Sequence, residues 1–369
     1  MLDAIAKITR MKPASQRILY LDWVRGVAAL VMLQGHVFQS FLRDDLRTGG
    51  PYVMSQFAGG MPPAVFLFLL GVTFAFLMDS QEKKGIAAAG RFGAAAKRSG
   101  YLFAAAFAFR LQLWLFSIDK SPWTDLFRVD ILNCMGLALL VLSVMAVFRT
   151  EERIRLCAVL GFAIAAASPL ISGLDWSGTP AILRNYVVPD HTFFGFFPWA
   201  AFVAFGMSAG SILRLLKPAD VASAMQWFGW GGLSLAFGAY TLSNLSPSIY
   251  SNSDFWLNSP ALIFIKLGAI LIFIAFAWLC NIRTSAAEWS WVRQFGMTSL
   301  LVYWVHVELV YGRWFGALKD QLTVGQTLFA TVLTIALMLG LSLLRTNWAQ
   351  VRNYFSSSNA VIEERVSGD

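Results

Sequence analysis

Asp22, Arg25 and His36 stand in one otherwise apolar stretch, LDWVRGVAALVMLQGHVFQSF (residues 21–41). A charged side chain in hydrocarbon costs about 2.5–3.5 kcal/mol on insertion scales, so each needs compensation or a task. Asp22 and Arg25 lie three apart on one helix face, where they can neutralise each other. At 1.5 Å per residue, His36 lies roughly 21 Å beyond Asp22, towards the opposite face of a bilayer. A neutral histidine there can take a proton from a hydroxyl or ammonium group, or can itself be acylated.

Further ionisable residues sit in apolar surroundings. TSLLVYWVHVELVYG carries His306 and Glu308, FAFRLQLW carries Arg110 and FIKLGA carries Lys266. Singly, each reads as half of an internal ion pair, for example Glu308 with Lys266 or Arg110. Together, Arg25, Arg110 and Lys266 outnumber Asp22 and Glu308, and a cationic excess at membrane depth suits a pathway for an anion. His306, Glu308 or Asp130 could orient His36. On the other face, VPDHTFFGFFPW supplies Asp190 and His191, and LFRVDILN supplies Arg128 and Asp130. These are hydrogen-bonding partners for an acceptor with hydroxyl or amino groups. The neighbouring Phe193, Phe194, Phe196, Phe197 and Trp199 could stack on a sugar ring, or belong to an interfacial aromatic belt.

The elements that position these residues are membrane helices. The chain is 57% hydrophobic and only 14% charged, with a mean hydropathy of +0.60, which excludes an ordinary soluble domain. Continuous apolar stretches exclude a β-barrel. Stretches of bilayer-spanning length predict an all-α polytopic bundle of about ten transmembrane helices near 18–40, 61–79, 99–118, 129–148, 155–173, 192–213, 222–245, 257–281, 296–316 and 324–344. They form a single domain over 1–355, followed by a short polar tail, 356–369. The segment 41–60, rich in glycine and proline, suits a compact re-entrant or lid-like structure.

Lysine and arginine concentrate in the amino-terminal tail, the loop with Lys83, Arg91, Lys97 and Arg98, and the connections bearing Arg149, Arg153, Arg214 and Lys217. That bias places both termini in the cytoplasm. The net charge of +8 is therefore a topology signal rather than a nucleic-acid footprint. The first helix is too long, and too interrupted by charge, for a removable signal peptide. Cys134, Cys157 and Cys280 fall in separate apolar spans and read as packing residues; neither they nor the three histidines have metal-ligand spacing. A transporter of a small organic anion or lipid-linked sugar would use the same charges, but the two halves of the chain show no inverted repeat. A scaffold subunit would instead pair every intramembrane charge internally.

With Arg25 eleven residues before His36, the opening "LDWVRG" helix resembles the first helix of the transmembrane acyltransferase superfamily. "GGMPPAVFLFLLGVTFAF", "FRVDILNCMGLALLV", "FFPWAAFVAFGMSAG" and "TSLLVYWVH" are most similar to its heparan-α-glucosaminide N-acetyltransferase branch and bacterial relatives. The resemblance implies an enzyme of a bacterial inner membrane that takes an acetyl group from cytoplasmic acetyl-CoA. The acyl group would pass to a glycan-like acceptor across the membrane, with His36 as the catalytic histidine. Donor binding then falls to Arg25, Lys97, Arg98, Arg110 and Lys266, and acceptor binding to Asp130, Asp190 and His191. The expected partners are acyl-CoA, a carbohydrate acceptor and the lipid bilayer, with a homodimer as the assembly kept open.

Overall fold

Runs of Leu, Val, Ala and Phe long enough to reach across a bilayer satisfy their backbone groups internally only as helices, and helices are what the chain forms. A computed structural model describes residues 18–117, 121–245, 250, 253–285 and 288–348; the basic amino-terminal tail and the polar tail 356–369 lie outside the described residues. In chain order the helices are α1 (Leu19–Phe41), α2 (Gly50–Gly59), α3 (Met61–Lys83), α4 (Ala88–Phe116), α5 (Ile131–Leu142), α6 (Thr150–Ser172), α7 (Ala181–Val187), α8 (Phe196–Leu215), α9 (Val221–Leu245), α10 (Pro260–Asn281), α11 (Trp291–Met297), α12 (Ser299–Tyr311) and α13 (Val324–Thr346). Among the described residues there is no strand beyond one isolated bridge, Leu42 to Leu322.

Seven of the described helical segments are long and apolar enough to cross a membrane. The protein is an all-helical integral membrane protein.

Three expectations need correction. The segment 41–60 is not a loop throughout, because Gly50–Gly59 forms the ten-residue α2. Helix α4 begins at Ala88, well before residue 99. The alanine-rich stretch AAGRFGAAAKRSG favours helix although its hydropathy is modest, so Arg91, Lys97 and Arg98 ride on a helix rather than in a loop. The helix expected over 296–316 is two helices that meet at Thr298, whose φ of −119° and ψ of 20° leave helical geometry. There the Thr298 hydroxyl lies 3.2 Å from the Gln294 carbonyl and 2.5 Å from Ser342 Oγ.

Within the stretch expected as one domain, the chain divides into two compact units, one of 1–59 with 280–369 and one of 60–279. In the first, α1 packs on α11, α12 and α13. Glycine permits the α1–α11 contact: a Cβ on Gly26 would fall 1.9 Å from the Val292 carbonyl oxygen, and one on Gly296 the same distance from that of Asp22. In the second, α3 and α6 pack on α8, and α4 packs on α5. Small residues at helix crossings are the usual device where lipid offers no hydrophobic driving force.

Candidate functional site

In the first unit, α1 presents His36 and α12 presents His306 to each other. His36 Nδ1 lies 2.9 Å from His306 Nε2, with the ring planes 19° apart and the centroids 5.1 Å apart. That separation is too wide for a face-to-face stack and fits two nearly coplanar rings meeting edge to edge. His306 Nδ1 lies 2.6 Å from the Val302 carbonyl oxygen one helical turn back. The carbonyl has no proton, so His306 Nδ1 donates. With both rings neutral, His306 Nε2 is then an acceptor and the proton between the rings belongs to His36 Nδ1. His36 Nε2 keeps its lone pair and has no hydrogen-bond partner among the described residues.

The surroundings fix this pair. The Tyr311 ring meets His36 edge-on at 5.2 Å, and its hydroxyl donates to Gln39 Oε1 at 2.7 Å. Ser40 Oγ donates to the Val310 carbonyl at 2.8 Å, stitching α1 to α12 one turn beyond the histidines. The end of α1 is clamped by 320–322: Asp320 N–H donates to the Ser40 carbonyl and Leu322 N–H to that of Phe41, while Arg43 N–H returns to the Leu322 carbonyl. Arg47 holds Asp320 by an ion pair. Lower on α1, Arg25 Nη1 meets Asp22 Oδ1 at 2.9 Å, the pair that the three-residue spacing predicts.

Among the described residues Glu308 makes no bond to His36. Its Oε1 accepts from Trp314 Nε1 at 2.9 Å, and its Oε2 is buried without a partner. Glu308 lies two residues beyond His306, and two residues on a helix point about 200° apart, so both cannot face α1.

In the second unit, the half-buried Arg110 and the buried Asp130 form an ion pair. Asp130 therefore has a charge partner within its own unit. It also caps α5: its N–H donates to Asn133 Oδ1 at 3.0 Å, and Asn133 Nδ2 donates to the Tyr186 hydroxyl at 2.9 Å. The segments carrying Arg128–Asp130 and Asp190–Phe194 lie together, since Phe194 N–H donates to the Val129 carbonyl and the Arg128 guanidinium sits 5.7 Å over the Phe193 ring. Asp190 is exposed. Partial burial would raise its pKa, but bonds from the Thr192 hydroxyl and amide outweigh that and hold it below the usual carboxylate range. His191 is exposed too, 3.5 Å from Asp254. Lys266 has no carboxylate among the described residues; it donates to the Gly60 carbonyl at 3.2 Å and lies 5.2 Å over the Trp199 ring.

The cationic excess expected from Arg25, Arg110 and Lys266 thus shrinks, because the two arginines find local carboxylates. A different set gathers at the end of α3. Asp79 Oδ2 holds Arg214 Nε at 2.6 Å and Lys83 Nζ at 3.0 Å, while Glu82 Oε2 meets Arg153 at 3.2 Å and Arg91 at 3.6 Å. Thr150 Oγ1 donates to Glu82 at 2.9 Å. Of the expected donor-binding residues, Lys97 is exposed. Arg98 is half-buried with its Nη2 3.5 Å from Thr73 Oγ1. Sequence reasoning did not single out the Asp79–Arg214 pairing; the signal was there in an acidic residue placed at the basic end of a membrane helix.

Among the described residues, no group of three histidines, cysteines or acids could hold a metal ion. Comparison with curated proteins found no match. The family model described as heparan-alpha-glucosaminide N-acetyltransferase, catalytic, matches residues 17–251. That match takes in His36, the Asp22–Arg25 and Arg110–Asp130 pairs and the whole Asp79 cluster, and it leaves His306 and Lys266 beyond its end. Covering well over half of a chain already seen to be a helical membrane protein, it establishes that this protein belongs to the heparan-α-glucosaminide N-acetyltransferase catalytic-domain family of membrane acetyltransferases.

Proposed function

We propose that the protein moves an acetyl group from cytoplasmic acetyl-CoA to a hydroxyl or amino group of a glycan-like acceptor on the far face of the membrane, with His36 as general base. The observation that carries this reading is the chain Val302 carbonyl, His306, His36, which leaves the His36 Nε2 lone pair unengaged. Acetyl-CoA supplies the activated thioester. His36 Nε2 removes the acceptor's proton as its oxygen or nitrogen bonds to the acyl carbon; the C–S bond then breaks and the thiolate of coenzyme A leaves. His306 Nε2 accepts from His36 Nδ1–H throughout and stabilises the imidazolium that forms. Such general-base help is worth typically 10²–10⁴ in rate. Direct transfer needs fewer steps than an acyl-histidine relay and is the route preferred here.

Ten spans with both termini in the cytoplasm of a bacterial inner membrane complete the reading. Besides the seven strongly apolar segments, α1 and α9 are long enough to cross, and α11 with α12 forms a broken tenth span. Asp190 and His191, both exposed, are the acceptor-binding residues of this reading, and Lys97 and Arg98 contribute positive charge where the donor arrives.

The test is transfer of radiolabelled acetyl from acetyl-CoA to amino and hydroxyl sugars by the purified full-length protein and by His36→Ala. Loss of transfer in the variant is expected, and undiminished transfer would remove His36 from the chemistry.

A further inference from the structure

We propose that the cluster around Asp79 and Glu82 is a phosphate-binding site in which Arg214 grips the nucleotide phosphates of the acyl donor. The inference rests on the acetyl-CoA reading and gives the donor an anchor that the intramembrane cations do not provide.

Charge stoichiometry is the first ground. Two carboxylates, Asp79 and Glu82, serve four cations, Lys83, Arg91, Arg153 and Arg214. A purely structural lock needs matched charge, because unpaired charge at the edge of hydrocarbon is costly. This cluster keeps a surplus of positive charge instead. Asp79 and Arg153 are almost wholly buried, and the Nε atoms of Arg91 and Arg153 are buried without a hydrogen-bond partner.

Orientation is the second. Asp79 takes the Nε edge of Arg214, and the Phe76 ring lies 5.6 Å from the guanidinium carbon. These contacts fix the plane of the guanidinium while leaving Nη1 and Nη2 without a partner among the described residues. The Arg214 side chain is 33% exposed and Lys83 is 57% exposed, so a ligand can reach both. A guanidinium held along one edge and open along its fork is built to meet two oxygens of one phosphate, and a neighbouring ammonium adds a compact charge. Buried Arg91 and Arg153 touch no ligand; they raise the local potential.

Placement is the third. Lys83, Arg91, Arg153 and Arg214 all belong to segments that the basic-residue bias assigns to the cytoplasmic face, where coenzyme A is found. Phosphate could also come from an anionic lipid headgroup, and the two sources give different results.

Equilibrium binding to the purified full-length protein in zwitterionic nanodiscs separates them, with acetyl-CoA, S-acetylpantetheine and 3′,5′-ADP as probes. Wild type should bind acetyl-CoA at least tenfold more tightly than S-acetylpantetheine, which lacks the nucleotide phosphates, and should bind 3′,5′-ADP. Arg214→Gln should weaken acetyl-CoA about tenfold and leave S-acetylpantetheine unchanged, whereas Arg155→Gln, an exposed cation of the same face, should change neither. Equal loss for both ligands, or none for acetyl-CoA, overturns the site. So does an Arg214→Gln defect confined to retention of phosphatidylglycerol, which would assign the cluster to lipid. If Arg214→Gln does not fold, the wild-type ligand series decides alone, equal affinity for acetyl-CoA and S-acetylpantetheine overturning the site. Failure of wild type to bind any of the three overturns the acetyl-CoA reading as well.

Discussion

His36 and His306 stand 270 residues apart in the chain, yet their Nδ1 and Nε2 atoms are 2.9 Å apart in the fold. The relationship has a direction. The Val302 carbonyl accepts from one end of the pair, so protons are ordered along it and the lone pair emerges at His36 Nε2. A carboxylate in the place of His306 would anchor the same tautomer but add a charge; an imidazole anchors it without one, which suits a site inside hydrocarbon.

In the proposed mechanism His306 is a positioning residue. His306→Ala should lower kcat by about 10- to 100-fold, a part of the roughly 10²–10⁴ that general-base catalysis supplies, with little change in KM for acetyl-CoA. His306→Gln, whose amide oxygen can still accept from His36 Nδ1–H, should recover part of the loss. Steady-state kinetics on the three proteins checks this, and equal kcat in His306→Ala and wild type would exclude the role.

Arg110 and Asp130 can be tested as a pair. Removing one partner of a buried ion pair costs about 3–5 kcal/mol because the other charge is stranded, whereas removing both costs far less. Arg110→Met should therefore unfold at a lower temperature than the double variant Arg110→Met with Asp130→Asn. Thermal unfolding in detergent, followed by tryptophan fluorescence, gives the order.

At the α1–α11 crossing, Gly26→Ala or Gly296→Ala would drive a methyl group to 1.9 Å from a backbone carbonyl oxygen. Backbone cannot step aside as a flexible side chain can, so each substitution should cost about 1–3 kcal/mol or more. Both should broaden size-exclusion profiles and lower the unfolding temperature. Gly325→Ala, with open space around its Cβ position, should do neither.

Asp320 adopts a φ of 57° while pairing with Arg47. Asn tolerates the left-handed region and can still accept from Arg47, whereas Ala loses the bond and keeps the strain. Asp320→Asn should be close to wild type in stability and in acetyl transfer. Asp320→Ala should reduce both, because the 320–322 clamp holds the end of α1 that carries His36; a thermal shift and a transfer assay read the two effects.

Part of this was legible in the residues themselves. Asp22 and Arg25 pair as their three-residue spacing requires, because both sit on one helix and helical geometry alone decides the contact. His36 as the candidate base was readable from its place in the first helix, but its partner was not: His306, Glu308 and Asp130 were equal on sequence grounds. Lys266 illustrates the same limit. Charge complementarity pointed to Glu308, while the fold gave Lys266 a carbonyl and a tryptophan face, and gave Glu308 an indole N–H.

By itself the sequence determined that the chain is a helical membrane protein, where most of its helices run, and which polar residues lie too deep in apolar segments to be incidental. Those properties follow from the local free energy of putting each segment in hydrocarbon, which composition reports directly. Only the tertiary structure decided that His306 meets His36, that Arg110 belongs to Asp130, and that Asp79 takes the Nε edge of Arg214. Such pairings depend on which helix faces meet, and that is set by close approaches such as Gly26 against Val292, between residues far apart in the chain.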